Sequence, residues 1–285
     1  MLNLQNQDVE LAVNPRLGGG ISAFRWRGLD VFRPQSDSRS GAASPLDLAC
    51  FPMVPFCNRI ADANIAFNGQ KRVLPTAPNG IEHVHALHGV GWISPWAAPE
   101  TSDTHAILTL RQDGTLWPWA LEAEQRLSLT DNGYSHTLAV TNRDSSAMPA
   151  GLGLHPYFPR AKAALELEAE GYWKTGEDRL PEEYCALRET PQWFSGDRFD
   201  DCFKAASSFV SIAWPTHRLT IRSSPNLKFT HVYIPPEADF FCVEPVSHIP
   251  DAVNSELDHA ASGLVMLEPG ETFQIECRFE LEEPA

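Results

Sequence analysis

Five short stretches carry side chains that packing alone does not explain. In "GLGLHPYF" at 151 to 158, His155 stands among Leu152, Leu154, Tyr157 and Phe158. A dry, unpaired imidazole there costs on the order of 2 kcal/mol, so it needs a hydrogen-bond partner or a task. In "DFFCVEPVSHIPDAVN" at 239 to 254, Glu244 closes an apolar run and precedes Pro245. Partial desolvation raises such a carboxylate from its ordinary pKa of about 4.3 toward neutrality, which makes Glu244 a candidate general base; a Glu exposed at a strand end is the plain alternative. "FPMVPFCNRI" at 51 to 60 ends a proline-stiffened apolar run in Asn58 and Arg59. Arg59 is either a fixed donor facing a pocket or an arginine reaching the surface. "EHVHALHGVGW" at 82 to 92 holds His83, His85 and His88. His83 and His85 would share a strand face and could both bind a divalent ion, but no carboxylate follows at a short spacing. A polar pocket wall is the favoured reading, with Trp92 as a flat apolar surface and surface histidines on a loop as the alternative. In "FDDCF" at 199 to 203, Asp200 and Asp201 are adjacent, and in an extended chain only one of them faces inward.

These stretches supply imidazoles, carboxylates and an arginine, with aromatics between them. They offer no Ser or Cys nucleophile with an activating base and no glycine loop to cradle phosphate. "LGGG" at 17 to 20 does not open a helix, so it is no dinucleotide fingerprint. General acid–base proton transfer remains, and it requires neither a metal nor a cofactor.

The elements that must position these groups are strands. In "ETFQIECRFELE" Phe273, Ile275, Cys277, Phe279 and Leu281 alternate with Gln274, Glu276, Arg278 and Glu280, the period of a half-buried strand. "HAILTLRQ", "YSHTLAVTN", "ALELEAEG", "HRLTIRS" and "LKFTHVYIP" alternate in the same way, and "QDGT", "TDNGY", "PNG" and "EPGE" supply turns between them. Few stretches show helical spacing. The expectation is an all-β chain: one large antiparallel β-sandwich domain over 1–285 with few short helices. The longest irregular stretches, 35 to 45 and about 174 to 200, are places where loops carry function or cover a site.

A formal charge of -15 argues against nucleic acid, whose phosphates require clustered Lys and Arg. The N-terminus lacks the pattern of a signal peptide, and no run approaches the roughly 18 apolar residues of a membrane helix. Six cysteines without a CxxC pair fit reduced thiols, and the expected location is cytoplasmic.

Together, "NRI" at 58 to 60, "LHG" at 87 to 89, "HPYF" at 155 to 158, "FDDCF", and "VEP" at 243 to 245 followed by "PDAVN" resemble the aldose 1-epimerase (galactose mutarotase) family in order and separation, from about residue 15 to 275. The resemblance implies that family's antiparallel β-sandwich with a cleft for a small-molecule sugar on one face. By position it implies His155 as general acid, Glu244 as general base, His88 as a second histidine near the ring oxygen, and Arg59 and Asp200 as residues that bind hydroxyls. Asp200 is chosen over Asp201 by its three-residue spacing to Phe203. The activity implied is interconversion of α and β anomers of a free hexose. Two alternatives stand beside it: a hexose 6-phosphate 1-epimerase, drawing cations from Arg25, Arg27, Arg33, Arg39, Lys71 or Arg72, and a catalytically silent carbohydrate-binding protein on the same fold. His85 and Val246 depart from residues common in the family, which bears on the choice of sugar.

Overall fold

The structure is a computed structural model, and it describes residues 1–35, 44–67, 69–76 and 84–284. Strand accounts for 53% of it, and the one α-helix among the described residues, His259–Ser262, is four residues long. The all-β expectation therefore holds. Two antiparallel sheets dominate. The larger runs Leu2–Gln5, Val9–Asn14, Gly20–Trp26, Cys50–Met53, Gly153–Pro159, Phe240–Val246, Phe229–Ile234, Phe199–Ala205, Ala169–Thr175, Pro181–Ala186, with Leu29–Asp30 beside Gly20–Trp26. The smaller runs Ala97–Thr101, His105–Asp113, Ala120–Thr130, Gly133–Asn142, Thr272–Glu282, Arg218–Ser223, Phe209–Ala213, Ala164–Glu166.

Alternation builds these strands as expected. In Thr272–Glu282 the side chains of Ile275, Cys277, Phe279 and Leu281 are buried, while Glu276 and Arg278 pair with each other outside. The one expected strand that splits is "ALELEAEG": Ala164–Glu166 belongs to the smaller sheet and Ala169–Thr175 to the larger, because the chain crosses between sheets at that point. Between the sheets lies an aromatic core. Phe24 meets Tyr134 at 4.8 Å between ring centroids, and Phe32 meets Phe279 at 5.4 Å. Each such pair contributes about 0.5–1.5 kcal/mol beyond the area it buries.

The centre of the larger sheet is buried on both faces, and strand parity divides its side chains. Toward the aromatic core point Leu154 and Phe158, Phe241 and Val243, and Val232 and Ile234. The alternate residues form a second apolar cluster on the other face, including Phe51, Met53, Tyr157, Cys242 and Val246. A layer of connecting segments covers this outer face. Arg59–Ile60 pairs with Ala86–Leu87, Trp92 stacks on Phe51 at 5.3 Å, and Ile249, Ala252 and Leu264 pack against the same cluster. All six cysteines are free thiols, and among the described residues no helix is long and apolar enough to cross a membrane.

A candidate active site on the outer face of the larger sheet

Three adjacent strands place three titratable side chains side by side. The pairs Gly153↔Val246 and Tyr157↔Cys242 set the register that brings His155 opposite Glu244, and His231 is the direct cross-strand partner of Glu244 on its other side. The result is a transverse row, His155, Glu244, His231, with the carboxylate in the middle. His155 Nε2 lies 3.3 Å from Glu244 Oε1, with only 7% and 2% of the two side chains exposed. Phe51 and Tyr157 both stack against the His155 ring, at 4.5 and 4.8 Å, and hold its plane.

The row has an unusual distribution of protons. Burial, and beyond it the charges of His231 and Arg33, pushes the His155 imidazolium down to about 3, so His155 is a neutral imidazole at neutral pH. Burial raises Glu244 from 4.5 to about 7; the cations of His231 and Arg59 oppose the rise and the Asp200 anion adds to it. His231 goes the other way. Burial would lower it, but its bonds to Asp200 and Cys202 and the nearby carboxylates lift it to about 10. Asp200 is the counter-ion: burial opposes its ionisation, yet the hydrogen bond and charge of His231, with Arg59 and Arg198, hold it at about 2. Its Oδ1 lies 3.0 Å from His231 Nε2, and its Oδ2 accepts from Arg179 at 3.1 Å and Arg198 at 2.9 Å. Asp201 points away and accepts from the Thr175 backbone N–H at 2.8 Å. Of the adjacent acids, Asp200 is the one that lines the cavity.

The covering layer supplies the remaining wall. Asn58 and His88 both take left-handed backbone conformations, with φ of 57° and 54°, and they hold each other: His88 N–H donates to Asn58 O at 2.8 Å and Asn58 N–H donates to His88 Nδ1 at 3.2 Å. Non-glycine residues rarely adopt this conformation, and such strain gathers at functional sites. Because its Nδ1 accepts, His88 carries its proton on Nε2. Its ring meets His155 edge-on at 5.0 Å. Arg59 and His88 thus border, with His155, Glu244 and Asp200, one cavity of about 340 Å³. Ligand clefts span roughly 300–1,000 Å³, so this volume suits one sugar ring better than a chain of them.

All five residues singled out from the sequence, His155, Glu244, Arg59, His88 and Asp200, line this cavity. Other expectations change. Trp92 is fully buried, donates its indole N–H to Leu87 O at 3.1 Å and supports Phe51 and His88 from behind, so it is no open platform. His83 lies outside the described residues. His85 accepts from Asp62 N–H at 3.0 Å and meets Asp178 O at 2.9 Å, so both its ring nitrogens are engaged. His155, Cys242 and Glu244 have donor atoms within 4.8 Å of one another, a spacing that could hold a metal. Burial keeps the Cys242 thiol protonated, so it is not a ready ligand. The stretch 174 to 200 does serve the site, by bringing Arg179 and Arg198 to Asp200. Of the stretch 35 to 45, positions 36–43 lie outside the described residues. Reasoning from sequence missed His231, Asp200's two arginines and Tyr157 as parts of the site.

Against known proteins, the model of the aldose 1-epimerase family matches residues 1–280. The chain belongs to that family. The Escherichia coli K12 protein YphB, uncharacterized, is 29% identical over 93% of both chains. A crystal structure of an Escherichia coli K12 protein superposes with a TM-score of 0.87 at 27% identity, over 99% of this chain and 98% of that one. The galactose 1-epimerase of Lactobacillus acidophilus NCFM superposes with a TM-score of 0.79 at 17% identity, over 99% and 94%. At that identity the likeness speaks for the fold, which is the galactose mutarotase type.

Proposed function

We propose that this family member is a cofactor-independent aldose 1-epimerase that interconverts the α and β anomers of a hexose, with His155 as general acid and Glu244 as general base. The observation that carries the reading is the buried His155–Glu244 pair, 3.3 Å apart on the floor of a cavity sized for one ring. Opening a cyclic hemiacetal needs a proton removed from the C1 hydroxyl and one delivered to the ring oxygen. The pair does this when it holds one proton in total. At rest that proton sits on Glu244; passed across the 3.3 Å gap to His155, it leaves Glu244 as the carboxylate that takes the C1 proton while His155 protonates the ring oxygen. The pair is left as neutral His155 and protonated Glu244. Rotation about C1–C2 and attack of the ring hydroxyl on the other carbonyl face run the two transfers backward and restore the starting state. Each transfer contributes about 10² to 10⁴-fold. Arg59 and Asp200 hold hydroxyls, and His88 stands near the ring oxygen.

A second reading, a hexose with a fixed anion remote from C1, draws support from the cavity's charge. Arg33, Arg59, Arg179 and the His231 imidazolium contribute +4, Asp200 contributes −1, and Glu244 between 0 and −1, for a net +2 to +3 in a chain whose formal net charge is −15. Arg33 stacks on Tyr157 at 4.0 Å, donates to Leu46 O and Leu48 O, and has no carboxylate partner among the described residues. It lies on the His155 side, where a substituent on C5 would extend from the ring oxygen. Of the other cations weighed from sequence, Arg25 and Arg27 pair with surface acids, Arg72 lies over Trp119 and Lys71 is exposed on Gln70–Val73, while Arg39 is outside the described residues.

Polarimetry of freshly dissolved α-D-glucose, α-D-galactose and an anomerically pure hexose 6-phosphate tests both readings. Faster relaxation that falls at least 100-fold in His155→Asn, with sugar binding kept, is the expected result. A near wild-type rate in that variant rejects the acid role, and sugar binding without acceleration identifies a silent binding protein.

A further inference from the structure

We propose that His231 is a positioning residue for this reaction: held by Asp200 on the strand beside Glu244, its imidazolium sets how tightly the His155–Glu244 pair holds its proton. The inference rests on the reading of that pair given above, and goes beyond it by giving a role to a buried group that the reaction does not otherwise use. His231 is 3% exposed, lines the cavity, and is the direct cross-strand neighbour of Glu244. Its Nε2 is taken by Asp200 at 3.0 Å, and its ring also bonds the Cys202 thiol. A ring so engaged does not hand a proton to a sugar; it acts through its charge. Asp200 in turn is gripped by Arg179 and Arg198, so the cation is fixed from behind by an ion network that reaches the rim of the cavity. Glu244 Oε2 is buried and meets no hydrogen-bond donor among the described residues, which leaves nearby charge and the substrate to stabilise its anion on that side.

The groups facing Glu244 leave His231 a large share of this task. From Gly153–Pro159 come His155 and Tyr157, and from Phe229–Ile234 come His231 and Tyr233. Phe199–Ala205 contributes Asp200 and Cys202, the strand of Glu244 itself contributes Cys242, and the covering layer contributes Cys57 and Arg59. Asp201 faces the other way, and Arg33 stands behind Tyr157. His231 and Arg59 are the cations that favour the Glu244 carboxylate, and His231 is the larger of the two.

The sign follows. Removing a cation next to the pair makes it hold its proton more tightly, so the pH above which the pair loses that proton, and activity falls, moves upward. A unit charge one strand spacing away, about 5 Å, moves this limb by about one to two pH units at an effective dielectric of roughly 20–40. The experiment is the pH profile of kcat/KM for mutarotation in wild type, His231→Gln and His231→Lys, with the ring protonation of His231 followed by ¹⁵N NMR and the Glu244 carboxyl by ¹³C NMR. The expected result is an upward shift of the alkaline limb in the Gln variant, its restoration in the Lys variant, and a doubly protonated His231 ring through pH 8. A limb that stays put in His231→Gln while the rate drops at every pH overturns the proposal and leaves a structural role. A His231 ring that is neutral at pH 7 overturns it as well. If wild type accelerates no sugar, the mutarotase reading has failed, and the carboxyl titration of Glu244 with and without His231 still decides this one. If the Lys variant does not fold, the Gln variant and the two NMR titrations carry the decision.

Discussion

Glu244→Gln should make the protein more stable at alkaline pH while removing its activity. The carboxylate lies 2% exposed, and its pKa in the folded chain is raised from 4.5 to about 7. A carboxyl that binds its proton more tightly folded than unfolded lowers stability as pH rises between those two values. The two and a half pH units between them, at about 1.4 kcal/mol each, come to about 3.5 kcal/mol lost at pH 8 relative to pH below 4.5. Glutamine is isosteric and does not ionise. Its buried amide needs hydrogen-bond partners of its own, at a cost of about 1 kcal/mol, so the expected net gain at pH 8 is about 2.5 kcal/mol. At pH 4.5 the gain should vanish or reverse. Urea denaturation of both proteins at pH 8, 6.5 and 4.5 measures the difference, and polarimetry on the same preparations should show mutarotation reduced by about 10² to 10⁴-fold. A Gln variant no more stable at pH 8 than wild type, or a difference that does not shrink on acidification, refutes the account of Glu244 as a carboxylate kept ionisable against its surroundings. Retained activity refutes its role as the base.

Two further substitutions probe the walls of the cavity. Gly89 has φ 74°, and a Cβ there would stand 2.2 Å from Val54 O, so Gly89→Ala should cost at least about 2 kcal/mol in thermal or chemical denaturation and, because it follows His88, should also weaken sugar binding; a neutral outcome would show that the turn relaxes freely. Arg33→Gln should lower the preference for an anionic over a neutral hexose, read as the ratio of their kcat/KM values, by about tenfold, the size of one charge-assisted hydrogen bond; an unchanged ratio removes Arg33 from the recognition of any anion.

Much of this was legible in the sequence because alternation in a strand assigns a face to each residue. The strand Thr272–Glu282 and the placement of Tyr134, His136, Leu138 and Val140 on one face follow from that rule alone. His155 and Glu244 stood out because each interrupts an apolar stretch beside a proline. His231 was missed although "LKFTHVYIP" carries the same signal, an imidazole between Phe229 and Tyr233 on one face with Val232 on the other. What hid it is that both faces of this strand are buried, so the period marks no exposed side, and its partner Asp200 is 31 residues away. The signal is also not sufficient. His136 interrupts an apolar face too, yet its Nε2 meets Gln125 Oε1 at 2.9 Å within the core, and it does not line the cavity of His155 and Glu244. Trp92 shows the opposite error: a residue type suited to stacking on a sugar is spent as a buried support.

The division of labour between sheet and covering layer explains why the chemistry is easier to place than the substrate. His155, Glu244 and His231 project from three adjacent central strands whose opposite faces, through Leu154, Val243 and Val232, are locked into the core between the sheets. Displacing one member of the row by an ångström would disturb a close-packed interior, so the spacing of the three side chains is set by the same contacts that set the fold. Arg59, His88 and Arg179 come instead from connecting segments, and Arg33 from the turn after Leu29–Asp30. Those segments can change length and side chains at little cost to the core. Differences in which hydroxyl or anion is recognised would therefore arise in the covering layer, while the row beneath keeps one geometry, on which the proposed transfer of two protons by His155 and Glu244 rests.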